Sequence, residues 1–103
     1  MTTDSVIRQL ADGVLELAGV LDYRSGAALR AEGEKLIRAT PTATVVVDCS
    51  HVEHSSSVGL SLLLAYMRIA LQAGKKLSVR GLPADMKKIA EVSGLLEILP
   101  LQA

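Results

Sequence analysis

The chain contains no Phe and no Trp, and only two Tyr. Its core must therefore be aliphatic, and the aromatic platforms that stack single-stranded nucleic acid are missing. An excess of one charge is missing too. Eleven basic residues face eleven acidic ones, for a net charge of zero, whereas nucleic-acid-binding domains present a basic surface. No nucleic-acid partner is expected. A single cysteine, Cys49, excludes an intramolecular disulfide. The longest apolar-dominated stretch, Val58 to Ala73, is interrupted by Ser61, Arg68 and Gln72, so it is too short and too polar to span a bilayer. Met1 to Leu10 lacks the basic start and apolar run of a secretory signal. The expected compartment is the cytosol, without direct membrane insertion.

What is present fits one domain over residues 1–103. Half of the residues are hydrophobic. A chain of this length supports one core and leaves little room for a deep cleft. Zero net charge gives little self-repulsion, so weak homodimerisation of the isolated chain is expected.

Ser5 to Leu10 and Val14 to Ala18, joined by Asp12-Gly13 and closed by Gly19, read as a hairpin. Asp22 is a candidate cap for a helix from Ser25 to Ala39, with Leu29, Gly33, Leu36 and Ile37 on its inner face. Thr44 to Val47 is a β-branched run typical of a buried central strand. A polar loop from Glu53 to Ser57 is expected next, then a long helix from Ser57 to Ala73 with Gly74 past its end. Lys76 to Arg80 reads as a strand, Ala84 to Val92 as a helix, and Leu95 to Leu99 as a short apolar tail. Strands alternating with helices imply an α/β domain with a small mixed sheet and crossover helices.

On a helical wheel the long helix carries two apolar arcs. Leu60, Leu63, Leu64, Met67 and Leu71 form one, which reads as the core face; Leu62, Tyr66, Ile69 and Ala73 form the other. Either a neighbouring helix covers the second arc or it is exposed for a partner. The expectation is an exposed partner surface, because so short a chain has few elements left to cover it. That surface would comprise Ser56, Ser57, Val58, Ser61, Leu62, Tyr66, Ile69 and Ala73.

The serine triplet Ser55-Ser56-Ser57 precedes this helix, where free N–H groups and the dipole favour a capping hydroxyl or a phosphate. Cys49 reads as a small buried hydrophobe. His51 and His54 lie near Glu53 in a spacing that fits no zinc pattern, so no metal is expected. Without a Gly-x-Ser-x-Gly elbow or a Gly-rich phosphate loop, no catalytic residue or cofactor is expected either. Lys75-Lys76 and Lys87-Lys88 are solvated pairs or patches for anionic headgroups.

Val45-Val46-Val47-Asp48-Cys49-Ser50 followed by Ser56-Ser57-Val58-Gly59-Leu60-Ser61-Leu62-Leu63-Leu64 resembles the centre of a STAS domain. Gly13 to Asp22 is similar to that family's second strand, and Ala90-Glu91-Val92-Ser93-Gly94-Leu95 to its late Ser-Gly-Leu turn. The resemblance implies a STAS-like single domain with helices mainly on one face of the sheet. In the anti-sigma factor antagonists of the family, a partner kinase phosphorylates a serine that matches Ser57; Ser56 is the second candidate. Here Ser56 stands where that motif has Asp, and Val58 where it has a second Ser. The compact STAS subunit of Mla-type ABC transporters, which handle phospholipids and outer-membrane lipid asymmetry, is a nearer likeness. That implies a non-enzymatic accessory protein bound to an MlaF-like ATPase subunit, at the inner face of the inner membrane through its partner. The alternative is an antagonist switched at Ser57 by an anti-sigma factor kinase. A third class is a small lipid or anion binder that uses the helix start directly.

Overall fold

The computed structural model describes residues 5–102. Strands β1 (Val6–Ala11), β2 (Val14–Leu21), β3 (Thr44–Ser55) and β4 (Lys76–Arg80) form one sheet in the order β1-β2-β3-β4. The first pair is antiparallel and the other two are parallel. Helices α1 (Gly26–Ala39) and α2 (Ser57–Gln72) make the two crossovers, and α3 (Ala84–Val92) follows β4. The parallel strands are added in one direction, so right-handed crossovers lay successive helices on the same face. Leu15, Leu17, Leu21, Val45, Val47, Leu77 and Val79 point under them into the core. A mixed sheet with helices on one face is the architecture expected from the sequence.

Local chemistry sets the joints. Gly13 (φ 75°) takes the left-handed conformation that turns β1 into β2. The end of α2 is a Schellman motif: Lys75 N donates to Ala70 O at 2.8 Å, Gly74 N donates to Leu71 O at 3.0 Å, and Gly74 has φ 74°. Lys75 Nζ also donates to the carbonyls of Thr40 and Thr42, tying the far ends of α1 and α2 together. The apolar tail forms turns and ends in a bridge between Val79 and Leu101 that covers part of the β4 edge.

The structure corrects several expectations. The segment expected to be a polar loop, Glu53 to Ser55, belongs to β3. Its backbone pairs with β2 as far as Leu21 opposite Ser55, through two register shifts. Asp22 does not cap α1; the N-cap position is Ser25, and the Asp22 carboxylate instead accepts from Arg24 N at 3.0 Å.

The second arc of α2, expected to be exposed, is buried as well. Leu62, Tyr66 and Ile69, expected at the exposed partner surface, are only 4%, 0% and 3% exposed, whereas Leu71, assigned to the core, is 72% exposed. Leu64 and Met67 are half-buried, as is Ala73 at the C-cap, while Leu60 and Leu63 are buried as expected. The cause is α1, which lies over the second arc. Gly33 opens the gap: a Cβ there would stand 2.3 Å from Tyr66 Cε1, so only glycine lets the ring lie against the helix. Inside that contact the Tyr66 hydroxyl donates to Leu29 O at 2.7 Å, satisfying the one polar atom the ring buries.

Candidate functional site at the starts of the helices

Each helix follows the carboxyl end of a parallel strand, so the three helix starts gather at one edge of the sheet. The α1 and α2 starts abut: a Cβ on Gly26 would meet Val58 Cγ1 at 3.2 Å. The α3 start closes from the other side, where a Cβ on Gly59 would lie 2.9 Å from Met86 Cε and 2.0 Å from Ser55 Oγ. Gly59 therefore sets how closely α2 seats on the sheet.

The serines divide the work. Ser56 is the N-cap of α2; its hydroxyl accepts from Val58 N at 3.2 Å and donates to Leu21 O at 3.4 Å. Its backbone N–H donates to Leu21 O at 3.1 Å, which fixes the helix start to the end of β2. The Ser55 hydroxyl donates to Ser56 O at 2.6 Å. Ser57 is the first residue of the helix and is exposed, as is Ser61 one turn on, while Val58 is half-buried. The structure thus brings Ser56, Ser57, Val58 and Ser61 to one surface. It separates from them the buried Leu62, Tyr66 and Ile69 and the distant Ala73.

One exposed residue at this edge of the sheet was not anticipated. Tyr23, 83% exposed, stands on the segment between β2 and α1. A lone aromatic in a short connection gives no periodic signal; its position between a strand end and a helix start was the available clue. Arg24 beside it donates to Asp22 Oδ2 at 2.9 Å and holds the Asp22 carboxyl below its ordinary value, chiefly through that side-chain hydrogen bond. The pair leaves little net charge around Tyr23. A neutral, hydroxyl-bearing surface of this kind suits a protein contact.

The other polar residues singled out in the sequence lie elsewhere. Burial pushes the Cys49 thiol up to about 12, so it stays protonated. His51 sits on the open face of the sheet, with Nδ1 2.8 Å from Glu16 Oε2, while Arg8 Nε donates to Glu16 Oε1 at 2.8 Å. A depression of about 560 Å³ on that face is lined in part by these three residues, with the carboxylate held between the guanidinium and the imidazole. No cluster of three or more metal-ligating side chains is assembled among the described residues. No helix among them is long and apolar enough to cross a membrane.

Comparison with known proteins places this geometry. No curated protein sequence matches the chain. Among solved structures it is similar to the anti-sigma factor antagonist SpoIIAA of Bacillus in its unphosphorylated form, with a TM-score of 0.72 at 17% identity, covering 97% of this chain and 89% of that one. An anti-sigma factor antagonist from Mycobacterium paratuberculosis gives 0.71 at 23% identity, covering 97% and 85%. A STAS domain protein from Planctomyces limnophilus gives 0.72 at 12%, covering 100% and 92%. These likenesses show the fold. Residues 5–100 match the family described as Mlab, STAS domain, and the chain belongs to that family.

Proposed function

We propose that this STAS domain is a non-catalytic binding module that docks on the ATPase subunit of a phospholipid-transport ABC transporter and supports its assembly or activity. The observation that carries the reading is the division of labour at the α2 start. Ser56 supplies the cap, which leaves Ser57 and Ser61 exposed at the sheet edge where the segment carrying Tyr23 also leads into its helix. The match to the Mlab family supports the choice of partner. The domain then works on the cytosolic side of the membrane, held there by its partner. Its contact surface is Ser57, Ser61, Val58 and Tyr23, in place of the wider set that included Leu62, Tyr66 and Ile69.

A second reading rests on Ser57 itself. An exposed hydroxyl at the first position of a helix lies where backbone N–H groups and the dipole stabilise a phosphate, as a partner-controlled antagonist needs.

Affinity capture of the tagged protein from its native lysate, with mass spectrometry of the partners and of the Ser55–Ser57 peptide, separates the two. An ABC-type ATPase with unmodified serines, and its loss in Ser61→Arg while the melting temperature holds, supports the transporter reading. A kinase-like anti-sigma factor with phosphate on Ser57, released by Ser57→Asp but retained by Ser57→Ala, overturns it in favour of the switch.

A further inference from the structure

Remote from the helix starts, at the other end of α2, a depression of about 160 Å³ is lined by Met67, Leu71, Lys75, Lys76, Leu77 and Pro100. Its floor is apolar, and Leu71 stands at its rim with most of its side chain in solvent. No acidic side chain lines it. The stretch that supplies all of the lining except Pro100 has one sign of charge: between Glu53 and Asp85 there is no acidic residue, and the basic ones are Arg68, Lys75, Lys76 and Arg80. Two of those four are engaged. Lys75 holds the Thr40 and Thr42 carbonyls, and Arg80 pairs with Asp48. Arg68 and Lys76 are exposed and take part in none of the ion pairs among the described residues. In a chain of zero net charge, this end of α2 is an apolar notch with the unpaired Lys76 in its lining and the unpaired Arg68 three residues before Leu71 on the same helix.

We infer that this notch is a second docking site, and that its occupant is an acidic amphipathic segment of the protein partner, seated with an apolar side chain against Leu71 and Met67 and carboxylates on Arg68 and Lys76. Charge complementarity selects the sign of the occupant, and a concave apolar floor selects an inserted side chain. A membrane surface is the poorer fit. Two free cations and one projecting leucine are a small anchor for a bilayer, which calls for several basic side chains or a longer apolar face. The inference rests on the partner-binding reading above and adds to it a second, chemically distinct contact. The sixteen residues of α2 set the two contacts apart, by about 20 Å at 1.5 Å per residue.

The test places a photoreactive benzophenone side chain at position 71 of the full chain in its native host, and separately at position 57. The expected product at 71 is a cross-link to a protein segment with more Asp and Glu than Lys and Arg, and with apolar residues spaced three or four apart. That segment, made as a synthetic peptide, should bind the wild-type chain and lose at least tenfold in affinity to Leu71→Glu and to the Arg68→Glu/Lys76→Glu pair. Both variants alter exposed side chains, so their melting temperatures should stay near wild type. A cross-link to lipid, to a second copy of this chain or to a segment without acidic excess overturns the inference, as does no cross-link. A product at 57 without one at 71 retires the notch and leaves the helix-start reading standing. A product at 71 alone does the reverse.

Discussion

The two faces of the sheet solve the same problem with different chemistry. Under the helices, alternate residues of β2, β3 and β4 are leucines and valines with almost no exposure. On the open face the positions between them carry Glu16, Asp48 and Ser50, with Arg8, His51 and Arg80 as partners. Each leucine removed from water contributes about 2 kcal/mol. An ion pair whose partner stays solvated contributes less than about 1 kcal/mol. Arg8 and His51 are 63% and 70% exposed around a Glu16 side chain that is 7% exposed. The lesson is that the helix-covered face holds the fold together, while the open face presents paired polar side chains to solvent.

Four substitutions test that contrast, in order of expected effect. Ile69→Asp puts a charge into the contact between α1 and α2, and should leave the domain unfolded at room temperature by circular dichroism, since an unpaired buried charge exceeds the stability of a small domain. A folded Ile69→Asp protein would mean that this arc of α2 is not core. Gly33→Ala keeps the polarity but forces a methyl group into the Tyr66 ring, and should cost about 1–3 kcal/mol in urea denaturation. Glu16→Ala on the open face should cost no more than about 1 kcal/mol, because Arg8 and His51 are left in water and not stranded; a larger loss would erase the distinction between the faces.

The smallest effect is pH-dependent. Burial pushes the Asp48 carboxyl up, but the Ser50 hydroxyl and amide and the Arg80 guanidinium outweigh it and hold the carboxyl below its ordinary value. A folded-state pKa below the unfolded one gives stability that is present above about pH 4 and is lost as pH falls through the depressed value. Denaturation of Asp48→Asn beside wild type should therefore show a gap of under about 1 kcal/mol at pH 7 that closes toward pH 2.5. A gap that is constant with pH would assign the effect of Asp48 to packing.

Much of the architecture was legible in the chain. The β-branched run Val45 to Val47, the Asp12-Gly13 turn, and the Gly74 and Gly94 stops are local signals, and the matching joints formed where they stand. The bounds of β4 and α3 needed nothing more than alternation and period. The end of β3 was not legible, because Ser50 to Ser55 is polar enough to read as a loop. It is extended only because Ala18 to Leu21 lies alongside to take its hydrogen bonds, through shifts that no local pattern encodes. In the candidate site, the serine triplet marked the correct helix start, but its division into cap and exposed hydroxyl required the approach of Leu21 O to Ser56.

The helix α2 separates the two kinds of information most sharply. Sequence by itself determined that it would carry two apolar arcs, since the 3.6-residue period distributes Leu60, Leu64, Met67 and Leu71 away from Leu62, Tyr66 and Ile69. That the second arc would be buried along with the first was decided only in three dimensions. Gly33, at a distance in the chain, leaves a gap the size of one tyrosine ring, and α1 docks there. A helical wheel records the angle between side chains on one helix and nothing about the shape of its neighbour. The second arc found a complementary surface and joined Leu60 and Leu63 in the core, and the first faces solvent only toward its far end, at Leu71.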